Sequence, residues 1–376
     1  MRLFIEPNEP LLFRTGRPFD AGENNFAESL FPPTPETLQG AVRATIATYW
    51  HPHKNIAAAF DDPDLTNLIG DRKGYGRFRL TGTALGRYDK NNSGVVERLF
   101  PPPAHLMKDD KGVLLLTPHS VGENTHSNLP EGVSYYLSPE RETEGKLKPV
   151  EGWLIETSLH NVLRGNLTGL QTVSRGDIYE SESRLGIGIQ PGTKATQEGF
   201  LYQTQMIRMN HKLKHADTYG FVVDIDLAPL PHDKEPMDDK QIQEALNLPD
   251  SGWMTLGGEQ RAAHFRVLPS TSKQGKGQPG KRTLLYLATP ASFDTGWKPS
   301  PRFAPLDKPI TAAINRYEPI GGWKLNPGDA KGENKVMHRC VPAGSVYFFN
   351  RAVTPQQLLT DYGMEIGYGI VYEGEW

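Results

Sequence analysis

Cysteine is almost missing from this chain: Cys340 is the only one in 376 residues. That excludes internal disulfides and any multi-cysteine zinc site, and it suits a cytoplasmic protein. No window of about 18 apolar residues occurs, so no membrane-crossing helix is expected. The opening stretch MRLFIEPNEPLLF is too short and too interrupted for a signal peptide. Positive charge is not in excess either: 41 Lys and Arg stand against 44 Asp and Glu, a net charge of −3. Free-standing nucleic-acid binders are usually basic, because phosphate neutralisation supplies much of their affinity. The balance therefore argues against a solitary binder and leaves room for a local basic face within a shared assembly. Several catalytic signatures are absent as well. There is no G-x-x-x-x-G-K-[ST], no H-E-x-x-H, no G-x-S-x-G and no paired-aspartate motif. No catalytic constellation, metal site or cofactor is expected.

What is present is turn chemistry. Glycine (38) and proline (31) are both abundant, which points to many turns between short strands. Residues 2–5 read as a first strand. A helix then begins with Thr34 as N-cap and Pro35 at its first position. Leu38, Val42, Ile46 and Tyr49 form its apolar stripe, and it ends near His51-Pro52. Residues 75–82 alternate strictly, with Phe78 and Leu80 on one side and Arg77 and Arg79 on the other. Residues 119–149 read as mostly irregular. Residues 183–209 read as two strand-like arms joined by a polar Gly/Thr/Lys tip. A strong strand over 219–231 opens a second cycle, followed by the helix MDDKQIQEALNLP, the strand-turn-strand MTLGGEQRAAHFRVL and three further strands. The repeated strand-helix-strand-strand order predicts an α+β chain of two ferredoxin-like (βαββαβ) modules. Their extents are expected at 1–217 and 218–376, with the hairpin in the first.

Three glycine-rich elements stand out: Gly186, Gly188 and Gly192; Gly257 and Gly258 with Arg261; and Gly367, Gly369 and Gly374. Bulges or close packing would explain each alone. Cations gather beside glycine or aromatic residues: Arg14 and Arg17 with Phe19, then Arg43, Arg77, Arg79, Lys194, Arg208, Lys212, Lys214 and Arg351. Taken singly, each fits a solvated face. Histidines offer little more. His51 and His53 sit at a helix end, where imidazole complements the dipole, and His211 and His215 lie in a basic run. Gly40 poses a sharper question. It weakens the helix near its start, and Arg43 follows three residues on. Either Gly40 eases packing of the helix on its sheet, or something anionic lies close to the backbone there.

Taken in order, FRTGRPFDAG, FPPTPETLQGAVR, RLGIGIQPGTKATQEGFLYQTQMIR, GGEQR and IGYGIVYEG resemble the RAMP superfamily of CRISPR proteins. The order and spacing are most similar to the third subunits of type III-B (Cmr) effector complexes. Each motif is loose, and the match runs over nearly the whole chain. The resemblance implies a non-catalytic subunit that holds the 5′ tag of the CRISPR RNA. It also implies two protein partners, the large polymerase-like subunit and a backbone RAMP subunit, and no membrane. The RNA-binding residues it implies are Arg14, Thr15, Gly16 and Arg17; Gln39, Gly40 and Arg43; Arg184, Lys194, Arg208 and Lys212; Gly257, Gly258 and Arg261; and Gly367, Tyr368 and Gly369. The hairpin tip, 189–199, would match the family's thumb. Segments 119–149 and 269–282 carry no motif of the family. Two other functions fit the same residues. One is a metal-independent endoribonuclease acting through His51, His211 or His215. The other is a protein scaffold with no RNA contact.

Overall fold

A computed structural model describes the chain except for residues 15–25, 72, 90, 92–94, 123–127, 131–132, 191, 211–216, 233–234, 271–281, 325–332 and 355–357. For 196–200 and 323–324 it describes the backbone alone. The expected Arg17, Thr15, Gly16 and Lys212 lie outside the described residues. The architecture is mixed α+β, with many strands and few helices. Among the described residues, no helix is long and apolar enough to cross a membrane.

Two compact units form, each assembled from three stretches of chain. One comprises 1–96, 176–270 and 319–338; the other comprises 97–175, 271–318 and 339–376.

The first unit is built on strands β1 (Arg2–Pro7), β2 (Phe78–Asp89), β3 (Tyr179–Ile189), β4 (Thr196–Met209), β5 (Asp217–Leu227), β6 (Ser251–Leu256) and β7 (Arg261–Leu268). Its principal helices are α1 (Pro35–Trp50) and α2 (Asp239–Ala245). The strands of one sheet run in the order β2–β5–β1–β7–β6, each neighbour antiparallel. It follows that β1 and β2, joined through α1, are parallel across β5. Likewise β5 and β7, with α2 between them in sequence, are parallel across β1.

Local chemistry explains the helices. The Thr34 hydroxyl accepts from the Thr37 amide at 3.3 Å and Pro35 opens the first turn of α1, two orphan-donor solutions at one terminus. At α2, Asp238 and Gln241 form a full capping box. Leu38, Val42 and Ile46 are buried, and Tyr49 meets Phe265 edge-on at 5.7 Å. Phe265 shares its face of the sheet with Ile5 and Phe221 by register. That is the face α1 covers.

The opposite face carries Phe4, Val222, Tyr88 and Arg266. Phe4 stacks on Tyr88 at 5.3 Å, Arg266 lies over the Tyr88 ring at 5.3 Å, and its guanidinium donates to Glu6 at 2.9 Å. Phe4 and Val222 are fully buried and Tyr88 nearly so. RNA-recognition domains stack bases on the open face of such a sheet. Here its centre is covered, so that surface is not available. Only the margin keeps an exposed aromatic, Trp253.

The second unit holds a four-stranded antiparallel sheet in the order Thr311–Ala313, Val346–Phe349, Thr283–Leu287, Val371–Glu375. Its core includes Leu285, Leu287, Phe293, Phe303, Tyr347 and Phe349. The link from Thr283–Leu287 to Thr311–Ala313 contains only the single 3₁₀ turn Pro301–Phe303. A short helix, Glu156–Val162, lies elsewhere in this unit. The described part of residues 119–149 is mostly irregular, as expected, with two short strands: Tyr135–Pro139 pairs with Gly112–Ser120, and Lys148–Pro149 with Leu106–Asp109. The lone thiol is inert by position. Cys340 is fully buried, and burial pushes it up to about 12, with Glu318 adding to the rise.

Candidate nucleic-acid interface

Within the first unit, a short run after β1 gathers three of the expected motifs. Leu11 exchanges two backbone hydrogen bonds with Ile207 of β4, at 2.7 and 2.8 Å. The Leu12 carbonyl accepts from the Gly258 amide at 2.8 Å, and the Phe13 carbonyl accepts from Leu30 at 2.8 Å. Arg14 is exposed and bridges to Ser29. Residues 11–14 therefore tie together the hairpin arm, the GGEQR turn and the approach to α1.

The GGEQR glycines have an internal reason. Gly257 has φ +73°, and a Cβ there would lie 2.9 Å from the Leu12 carbonyl oxygen and 3.1 Å from the Phe13 ring. Close approach of the protein's own backbone demands glycine, and the Gly258 amide is already spent on Leu12. Glu259 (φ 62°) and Gln260 (φ 50°) then stay left-handed, at roughly 1–2 kcal/mol each for residues with a Cβ. Arg261 pairs with Glu259 across this turn.

On the hairpin, two guanidinium groups share one carboxylate. Arg184 donates to Glu182 at 2.8 Å and Arg208 donates to it at 2.7 Å. Arg184, then Arg208, holds the Glu182 carboxyl below its ordinary range. Arg208 is half exposed, and exposed Glu180 stands directly opposite it on the same face, so two guanidinium groups face two carboxylates there. Lys194 sits exposed at the tip with φ 53°.

Helix α1 answers the question its glycine raised. Gly40 is exposed, and a Cβ built there would meet nothing within 4 Å. Packing on the sheet is therefore not the reason for it. Inside a helix its amide is spent on the carbonyl four residues back, so what Gly40 offers is a bare strip of helix rather than a free donor. Glu36, Gly40 and Arg43 share one stripe by helical spacing. Glu36 pairs with Lys335, and Arg43 stands on the other side. Gln39 is buried and lies 3.5 Å from the Arg43 guanidinium.

Arg43 itself has a structural task. It donates to the carbonyls of Asp71 (2.8 Å) and Gly74 (3.4 Å), and lies 5.3 Å from the Tyr75 ring and 6.0 Å from Phe60. Burial lowers its pKa, with Tyr75 and Asp71 opposing. Arg43→Ala should cost about 2 kcal/mol, since hydrogen bonds to a charged group are worth ~1.5–3 kcal/mol. It should also speed tryptic cleavage after Lys73. An unchanged urea midpoint and an unchanged cleavage rate would refute the clamp.

His51 is similarly occupied. Its Nε2 lies 2.7 Å from Asp62, which also caps the helix Pro63–Ile69. His211 and His215 fall outside the described residues. Among the described residues, no group of three His, Cys, Asp or Glu gathers as a metal site.

One comparison decides the family. The family model described as CRISPR-associated protein (Cas_Cmr3) matches residues 3–376. The chain belongs to the Cas_Cmr3 family. It is a Cmr3-like protein of the type III-B CRISPR effector complex. Among solved structures, it is similar to a chain of the type III-B Cmr-beta bound to cognate target RNA, at 18% identity and TM-score 0.46. It is also similar to a chain of the same assembly bound to target RNA and AMPPnP, at 16% identity and TM-score 0.44. Each match covers 93% of this chain and 86% of the other. No curated protein gives a significant match.

In the second unit of this Cas_Cmr3 member, the glycine-rich C-terminal element is not laid out for a ligand. Gly367, Tyr368 and Gly369 are all buried. The Gly369 amide donates to the Pro290 carbonyl at 2.8 Å, and its carbonyl accepts from Leu359 at 2.6 Å. The explanation by close packing holds for Gly369. Sequence reasoning missed Lys335, which no spacing rule connects to Glu36 some 299 residues away.

Proposed function

We propose that this chain is the non-catalytic, RNA-binding subunit of a type III-B effector complex. In this role it holds the 5′ tag of the CRISPR RNA and bridges the large polymerase-like subunit to the backbone RAMP filament. Family membership supports the assembly. The strand order β2–β5–β1–β7 with α1 and α2 in its two crossovers supports a ferredoxin-like module in the first unit. RNA would run over loops, the hairpin and the exposed stripe of α1, since the centre of the sheet's other face is covered.

The observation that carries the reading is Gly40. Glycine in a helix interior costs ~0.8–1 kcal/mol relative to alanine, yet no neighbour within 4 Å requires it. The bare stripe lies between Glu36, paired with Lys335, and Arg43. A sugar-phosphate backbone can approach such a strip closely, with cations beside it. Arg14 and Lys194 add exposed cations in the same unit, and Arg184 and Arg208 add guanidinium donors balanced by Glu180 and Glu182.

Gly40→Leu separates stability from binding. Leucine should raise the urea midpoint, by ~0.5–1 kcal/mol from propensity. It should lower affinity for a single-stranded RNA oligonucleotide bearing the 5′ tag about tenfold or more. A raised midpoint with unchanged affinity would show that the stripe does not meet RNA.

A further inference from the structure

The hairpin β3–β4 has two chemically different faces. Register places Leu185 opposite Gln203, Ile187 opposite Leu201, and Phe26 beside Gln203. Leu185 (70% exposed), Ile187, Leu201 and Phe26 therefore crowd one face. All four are about half exposed or more. Neighbouring exposed aliphatics on one sheet face are unusual on a free-standing protein and mark an interaction surface. The opposite face holds Glu180 and Glu182 with Arg184 and Arg208, and the Tyr202 ring lying against bare Gly186, where a Cβ would fall 2.2 Å from it.

We infer that the apolar face is a docking surface for a protein neighbour within the effector assembly, while the arginine face is left for RNA. Charge decides between the two occupants. Among the described residues of the apolar face there is no cation, and its one charge is the exposed carboxylate of Glu28, opposite Gln205. A polyanion gains nothing from such a face and is repelled at Glu28. A protein surface of aliphatic or aromatic side chains, with a Lys or Arg at its rim to meet Glu28, matches it. The face thereby identifies which side of the hairpin meets a subunit, and it rests on the effector-subunit reading above.

The test compares two double variants. One is Leu185→Ser with Ile187→Ser; the other is Arg184→Gln with Arg208→Gln. Each full-length chain is titrated onto the remaining co-purified subunits of its own effector complex, and separately onto the tag-bearing RNA oligonucleotide. The serine pair replaces exposed side chains, so its urea midpoint should stay close to wild type. Its affinity for the remaining subunits should fall at least tenfold, with RNA affinity of the isolated chain within twofold. The arginine pair should lose RNA affinity. Normal assembly by the serine pair overturns the inference. So does a loss of RNA affinity matching that of the arginine pair, or the disappearance of a wild-type homodimer, which would make a second copy the occupant. If the arginine pair binds RNA normally while the serine pair fails to assemble, the RNA reading falls and the docking surface stands.

Discussion

Gly369→Val is expected to abolish stable folding of the second unit, with a loss of about 4 kcal/mol or more. Three costs coincide at this residue. Its φ of +67° is a conformation that a β-branched residue resists, at roughly 1–2 kcal/mol. A Cβ would lie 2.5 Å from the Leu359 carbonyl oxygen and 2.6 Å from its carbon, so the backbone itself must move, and overpacking typically costs ~1–3 kcal/mol. Movement also strains the bonds to Pro290 and Leu359, and a buried unpaired amide or carbonyl costs about 1–3 kcal/mol. The measurement is the yield of soluble protein and the urea midpoint. A variant with wild-type stability and impaired RNA binding would return the glycine to the ligand. Set beside Gly40→Leu, the pair shows glycine used for opposite reasons: one where no side chain fits, the other where one fits freely.

Acidification is expected to destabilise the protein through His105. This histidine is fully buried, meets Phe348 edge-on at 5.5 Å, and its Nδ1 has no hydrogen-bond partner. Burial lowers its pKa from 6.5 to about 4. The unfolded chain therefore takes up the proton first. The contribution is fully present above pH 6.5 and is lost as pH falls toward 4. The complete difference corresponds to about 3 kcal/mol, of which about 2 kcal/mol is already gone at pH 5. His105→Leu removes the titrating group at similar volume. Comparing urea midpoints of the two proteins between pH 7 and pH 4.5 isolates this one residue from the carboxylates. The wild type should lose about 2 kcal/mol more than the variant over that range. Parallel pH profiles would show that His105 does not titrate in this window.

Local elements were legible because their causes are local. Thr34-Pro35 and Asp238-x-x-Gln241 carry their own caps, and the alternation over 75–82 places Phe78 and Leu80 inside without reference to any partner. The strand Tyr135–Pro139 was missed because it is exposed or half-exposed and leans on Gly112–Ser120 for its pairing. The candidate site was legible only as residue types. Arg43 and Gly40 sit on one stripe, yet one is bound to the loop at Asp71–Gly74 and the other is open. Gly257 and Gly369 belong to motifs that look alike in composition, and both turn out to serve the protein's own backbone.

By itself the amino-acid order determined the α+β class, the helix caps, the hairpin and, through the succession of loose motifs, the family. These depend on neighbours in the chain or on patterns a few residues long. Tertiary structure alone decided which glycines face solvent, which arginines spend their donors on carbonyls, and that the centre of the main sheet's second face is closed. Those outcomes depend on which distant atoms arrive within 4 Å of a given group, a distance that no local spacing encodes.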